Sequence, residues 1–174
     1  MAKIQIAECR EFIRAAEEKA REMGVPVSIA VVSAEGHLIA LERMDDAGFI
    51  TPETARSKAY TVAAFRSMSP RFQDGLIIQQ WFKERNPQML MNASVFTGGQ
   101  VVASGGCAPV FKGDEMVGAY GISGATSNQD EVIGRYAREK VGWAHKPATD
   151  DTPEDVKKHI NEIYASVGLG DRAL

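Results

Sequence analysis

The feature that most restricts the fold is a change of hydrophobic period along the chain. Residues 4–23 carry apolar side chains at three- and four-residue spacing, which predicts an amphipathic helix. Residues 94–122 instead contain short apolar runs separated by glycine, which indicates an antiparallel meander of about three strands. Because strands occur in groups with helices between the groups, the pattern predicts an α+β fold and not a doubly wound parallel sheet.

The segment between these two regions predicts a hairpin followed by helices. Residues 27–32 and 38–44 are rich in apolar side chains and are separated by turn-forming residues, so they predict two paired strands. The sequence Thr51-Pro52-Glu53 predicts a helix that has Thr51 as its N-cap and small residues on its inner face. Residues 71–85 predict a further helical stretch.

The C-terminal part predicts two more helices. Ser127-Asn128-Gln129-Asp130 resembles a capping box in which Ser127 caps a helix. A polar linker follows, and Thr152-Pro153-Glu154 repeats the capped opening before a last apolar stripe. We therefore predict a domain over residues 1–143, and a linker with an extra C-terminal helix over 144–174. That helix packs on the same domain or on a neighbouring subunit.

Composition excludes several classes of protein. The net charge is −3, whereas nucleic-acid-binding domains are usually basic, and no apolar run reaches the length of a membrane helix. The first residues do not resemble a secretory signal, so we expect a cytoplasmic protein. Two cysteines cannot build a disulfide framework or a four-ligand zinc site, and the three histidines lack metal-ligand spacing. We expect no nucleic acid, membrane or metal partner.

The glycine-rich segment 121–127 is the first candidate site. It joins a predicted strand to a predicted helix start, where backbone amides without protein partners could bind a carboxylate, a phosphate or a haem propionate. A tight turn capped by Ser127 explains the same residues without a ligand. Gly105 and Gly106 offer a second place for close backbone approach, or else a bulge. The candidate ligand-binding residues in 121–127 are Ser123, Gly124, Ala125, Thr126 and Ser127.

Four side chains could supply chemistry. Arg43 could hold a carboxylate through two parallel hydrogen bonds, and Lys58 packs among alanines, where burial can alter its proton affinity. Both could instead form salt bridges with nearby carboxylates or with another subunit. Cys107 is either a soft ligand or nucleophile, or a buried inert thiol. His37 is either an exposed turn residue or a ligand or base at a pocket rim.

Three separated blocks carry a family resemblance: GVPVSIAVVSAEGHLIALERMDDAG, TPETARSKAYTVAAF and GDEMVGAYGISGATSNQDEVIGRYA. Together they resemble the GlcG/HbpS-like haem-binding family, which includes the C-terminal domain of PduO-type corrinoid adenosyltransferases. The resemblance covers roughly residues 7–142. It implies a profilin-like fold, in which a central antiparallel sheet has helices on both sides. It also implies haem or a corrinoid as cofactor, and a homo-oligomer that is an octamer or a tetramer.

The sequence departs from that family in three places. Ser33 stands where the family usually has an acidic residue, and the segment from Gly105 to Pro109 is one residue longer. Haem binding in relatives is associated with a histidine near the N-terminal helix, and residues 4–23 contain none.

Three functions are compatible with these residues. The first is a small-ligand-binding accessory protein that holds haem, a corrinoid or another anionic molecule in a cleft or at a subunit interface. The second is a catabolic enzyme of isomerase, hydratase or hydrolase type that acts on a small organic acid. Lys58 would be its base, and Arg43 would hold the substrate anion. The third is a structural oligomer without a ligand.

Overall fold

The computed structural model of the chain describes residues 3–150 and 152–169. This part of the chain confirms the α+β fold, with six helices and a four-stranded antiparallel sheet. None of its helices is both long and apolar enough to cross a membrane. The elements are α1 (Ile6–Glu22), β1 (Ser28–Ser33), β2 (Leu38–Arg43), α2 (Thr51–Met68), α3 (Gly75–Arg85), α4 (Pro87–Phe96), β3 (Cys107–Lys112), β4 (Glu115–Ser123), α5 (Ser127–Lys140) and α6 (Glu154–Ser166).

The sheet has the strand order β2-β1-β4-β3, and every neighbouring pair is antiparallel. The predicted hairpin is confirmed as β1 and β2. The predicted meander over 94–122 is wrong in its first half, because Val95 and Phe96 end helix α4 and residues 101–103 form no strand. Asn86 starts that helix, since its side chain accepts a hydrogen bond from the Met89 amide at 3.1 Å.

Helices cover both faces of the sheet. Large side chains lie between helix and sheet on one face, and small residues on the other. On one face, α1 and α5 pack over large side chains, and Phe12 stacks on Trp143 with ring centroids 4.7 Å apart. On the other face α2 lies directly on β4, because Gly121 has no side chain. A Cβ at Gly121 would lie 2.2 Å from the backbone oxygen of Ala55. The small residues predicted on the inner face of α2 therefore allow close contact with the sheet.

Three predicted helix caps are wrong. Thr51 is the first residue of α2, after the N-cap Ile50. Its hydroxyl donates to the carbonyl of Gly48 and is hydrogen-bonded to the hydroxyl of Ser28 on β1, so it does not cap the helix. The cap of α5 is Thr126, one residue before Ser127, and it forms the capping box with Gln129.

Helix α6 likewise lacks the predicted threonine cap. Its N-cap residue is Pro153, and no side chain caps the helix. The helix packs against α3 of the same chain, through a separate apolar cluster built on Leu76, Ile77, Ile160, Ile163 and Tyr164.

Candidate functional site

Lys58 lies in the interior between α2, β4 and α5. Its side chain is 4% exposed, and its ammonium group donates to the carbonyl of Ile122 at 2.8 Å and to Asp130 Oδ2 at 2.7 Å. Burial raises the pKa of the Asp130 carboxyl above its usual value, while the neighbouring lysine opposes that rise. In this arrangement the ammonium group is occupied by protein acceptors, so a substrate proton has no access to Lys58.

The glycine-rich corner at 121–127 is occupied by the protein's own side chains. Asp130 Oδ1 accepts the Ala125 amide at 3.2 Å, and the side chain of Gln129 accepts the Thr126 amide at 3.1 Å. The predicted absence of protein acceptors is therefore wrong for Ala125 and Thr126. The sequence signal for the bond from the Thr126 amide to Gln129 is the capping-box pattern, in which Gln129 follows Thr126 by three residues. A ligand-binding role for the other predicted residues of the corner, Ser123, Gly124 and Ser127, stays a prediction; only Gly124 of these is exposed.

Gly105 and Gly106 bring the backbone close to α5. A Cβ on Gly106 would lie 2.5 Å from Cβ of Asp130, and one on Gly105 would lie 2.8 Å from the carbonyl oxygen of Ser127. The Gly106 amide donates to Glu131 Oε2 at 2.7 Å. In this conformation, the two glycines allow close packing within the chain.

Cys107 begins β3 and is completely buried. Its thiol lies 3.3 Å from the carbonyl of Ser104, to which it donates, and burial raises its pKa above the usual thiol value. Because the thiolate is the reactive and metal-binding form, this environment favours the inert alternative.

A buried polar cluster beside this corner was not recognised from the sequence. Glu131 accepts from Arg135 Nε at 2.8 Å, and the Arg135 guanidinium lies 5.1 Å from the ring centroid of Tyr164. Asp74 caps α3 by accepting the Ile77 amide at 2.9 Å, and it also accepts a hydrogen bond from the Tyr164 hydroxyl. Burial and the charge of Glu131 raise the pKa of Asp74 to about 6.

That cluster left only a partial signal in the sequence. Asp130 and Glu131 have the appearance of cap or surface residues, yet their side chains are 2% and 3% exposed. Asp74 stands directly before Gly75 and the apolar start of α3, which is an N-cap pattern.

Arg43 lies at the same end of the sheet as the corner and is exposed. It pairs with Ser28, and Ser28 pairs with Ser123, so two strand spacings of about 4.8 Å place Arg43 roughly 10 Å from β4. Within residues 3–150 and 152–169 the guanidinium makes no ion pair. Of the two predicted cations, Arg43 is the one open to solvent.

The three histidines lie in three separate places. His37 is exposed in the turn between β1 and β2, His145 follows the residue that bridges Phe111, and His159 lies 3.8 Å from Glu84. The described residues contain no group of His, Cys, Asp and Glu that could hold a metal ion.

Comparison with known proteins identifies relatives over most of the chain. Residues 4–139 match the sequence model of the family described as "Haem degrading protein HbpS-like". A 15.0 kDa protein from the dhaT-dhaS intergenic region of Citrobacter freundii is 30% identical over 138 residues, which cover 79% of this chain and 91% of that protein.

Two further relatives involve PduO. The corrinoid adenosyltransferase PduO of Salmonella typhimurium is 30% identical over 127 residues, but these cover 73% of this chain and only 35% of PduO. The crystal structure of a PduOC–haem complex matches with a TM-score of 0.67 and 25% identity, covering 83% of this chain and 99% of that one. The chain belongs to the HbpS-like family.

Proposed function

We propose that the protein is a small-ligand-binding accessory protein whose ligand is haem, a corrinoid or another anionic small molecule. The observation that carries the proposal is the similarity to the PduOC–haem complex, which extends over 83% of this chain. The description of the matching family as haem-degrading supports the same ligand class.

The exposed guanidinium of Arg43 supports the anionic character of the ligand. Arginine holds a carboxylate or phosphate in a planar, two-bond geometry, and both groups occur on molecules of this class. Lys58 has a different role in this proposal, because its ammonium group is held by Asp130 and Ile122. It positions the first turn of α5, while Arg43 binds the ligand directly.

The described residues fit the anionic groups of haem better than its iron. Helix α1 contains no histidine, and the exposed His37 precedes β2 while Arg43 ends it. Six residue steps separate them, which is about 20 Å along a strand. His145 follows Ala144, which bridges Phe111, and His159 lies beside Trp81 of α3. We therefore propose binding at the Arg43 end without a protein imidazole as iron ligand.

Titration with haemin, followed by the Soret band, tests the proposal. We expect a saturable Soret change at micromolar haemin, and Arg43→Gln should weaken binding about tenfold, which is about 1.4 kcal/mol. Arg10→Gln, which removes an exposed arginine on α1, and His37→Ala should leave the affinity unchanged. A parallel titration with hydroxocobalamin, whose phosphodiester supplies the anionic group, followed by its visible bands, tests the corrinoid.

Two results would overturn the proposal or part of it. If neither haemin nor hydroxocobalamin gave saturation, the named ligands would be wrong. If Arg10→Gln weakened binding as much as Arg43→Gln, or if His37→Ala abolished the haemin spectrum, the assignment of the site to the Arg43 end would be wrong.

A further inference from the structure

Two large apolar side chains project into solvent from the turn that precedes α2. Phe49 is 86% exposed and Ile50 is 59% exposed. They are the two central residues of this turn, which the Thr51 amide closes by donating to the carbonyl of Gly48 at 3.0 Å. Neighbouring apolar side chains that are exposed together often mark a place where another molecule binds. We refer to Phe49 and Ile50 as the turn pair.

Hydrogen bonds and burial fix both ends of the turn to the rest of the protein. On one side, the Thr51 hydroxyl donates to the carbonyl of Gly48 at 2.8 Å and lies 2.7 Å from the hydroxyl of Ser28 on β1. On the other side, Ala47 is buried, and its amide donates to the carbonyl of Met44 at 3.2 Å. The turn pair is therefore presented in a defined position, so a molecule that binds it has little chain to order.

Arg43 lies on the same face of the sheet as the turn pair. It stands opposite Ser28 in the pairing of β1 with β2, and opposite residues of an antiparallel pair direct their side chains to one face. That face is the one covered by α2, because the Ser28 hydroxyl bonds to Thr51. A paired Cα separation of about 5 Å and one hydrogen bond between two short side chains place the Arg43 backbone within roughly 13 Å of Thr51.

Given the anionic ligand of the proposed function, on which this inference rests, we propose that the turn pair contacts a porphyrin ring while Arg43 binds a propionate, so that the site recognises the ring and its acids and not the metal. Ligand sites are mostly apolar and have a few polar groups that orient the ligand. A porphyrin has a broad apolar ring with carboxylates on one edge, which matches this combination. A corrinoid carries amide groups around its ring, and an apolar contact would leave these without partners.

The charges beside Arg43 give the apolar contact a large share of the binding. Asp45 and Asp46 follow Arg43 closely in the chain and are exposed, so their carboxylates oppose the approach of an anion. The guanidinium therefore orients the propionate through paired hydrogen bonds, while burial of the turn pair provides most of the affinity. Phenylalanine, isoleucine and arginine are not among the usual ligands of haem iron, so this contact is the same with and without the metal.

Parallel titrations with haemin and with iron-free protoporphyrin IX test the inference, the first followed by the Soret band and the second by fluorescence. We expect the two dissociation constants to agree within about threefold, since one tenfold step corresponds to a whole lost contact. Phe49→Ser should weaken the binding of both porphyrins at least tenfold. Leu38→Ser is the matched control, because it removes a 48% exposed apolar side chain at the other end of β2, and it should leave both affinities unchanged.

The outcomes separate this inference from the proposed function. Haemin binding that Arg43→Gln weakens and Phe49→Ser does not, or haemin binding at least tenfold tighter than that of protoporphyrin IX, would overturn the inference and leave the proposed function standing. Saturation by hydroxocobalamin alone would do the same, whereas no saturation by any of the three would overturn both. Circular dichroism checks the fold of each variant. If Phe49→Ser lowered the mass in light scattering at unchanged affinity, the turn pair would be a contact between subunits, and the inference would be wrong.

Discussion

Replacing Lys58 with methionine should strongly destabilise the protein at alkaline pH. Methionine keeps most of the side-chain stem but removes the ammonium group that donates to Asp130 and to the carbonyl of Ile122. Asp130 would remain as a buried carboxylate with one remaining donor, the Ala125 amide. Removing one partner of a buried ion pair typically costs about 3–5 kcal/mol. We expect a loss of this size in the free energy of unfolding at pH 8.

The loss should depend on pH in a defined direction. Burial raises the pKa of Asp130 above its unfolded value even beside Lys58, and Lys58→Met removes the opposing effect of the lysine, so the pKa rises further. A carboxyl group whose folded pKa is raised is most favourable to folding when it is protonated, and this stability is lost as pH rises through the folded pKa. The deficit of Lys58→Met should therefore be smaller at pH 5 than at pH 8.

Urea unfolding followed by tryptophan fluorescence measures both quantities. One chain concentration should be used throughout, because the stability of an oligomer depends on concentration. Lys140→Met is the matched control: Lys140 lies 2.6 Å from Glu18, but both side chains are about half exposed, so the expected loss is below about 1 kcal/mol. Equal losses for the two variants at pH 8, or a Lys58→Met deficit that shrinks as pH rises, would refute the reasoning.

Two further predictions concern close packing and the buried polar cluster. Gly121→Ala should cost about 3 kcal/mol in urea unfolding, because its Cβ would lie 2.2 Å from the Ala55 carbonyl oxygen. Gly48→Ala, with its nearest atom at 3.5 Å, should cost little; equal losses would contradict the proposed contact. Burial and a nearby carboxylate hold the pKa of Asp74 at about 6, so its contribution to stability falls as pH rises toward 6. Tyr164→Phe removes a hydrogen bond that lowers this pKa, so it should cost about 1–3 kcal/mol at pH 8 and less at pH 5; a larger loss at pH 5 would contradict this assignment.

Local pattern was enough to predict the class of the fold. The hairpin of β1 and β2, helix α1 and the apolar stripe of α6 all show periods that match their final environment. Only the end of helix α4, residues 94–96, is wrongly predicted as strand, because the apolar side chains of the helix form no single buried stripe. A hydrophobic period reports which side of an element is buried, so it fails for a helix whose apolar side chains stay largely exposed.

The candidate site shows a different limit of sequence reasoning. Lys58 and the corner at 121–127 are recognisable from residue type and glycine content, but their partners are not. Lys58 meets Asp130 across 72 positions of sequence, and Tyr164 meets Asp74 across 90. The hydrophobic periodicity of a local segment does not indicate such pairings. The predicted Thr51 cap is wrong for the same reason, since the Thr51 hydroxyl bonds to Ser28 on β1, which is 23 positions away.

The internal carboxylate at the corner determines how an external anion can bind there. An anion that reached the Ala125 amide would have to displace Asp130 Oδ1, and the displaced carboxylate is also the partner of Lys58. Displacement would then separate a buried ion pair, which costs more than one amide contact provides. We therefore expect the proposed anionic ligand to bind this end of the protein from outside, at Arg43, where no internal ion pair has to break.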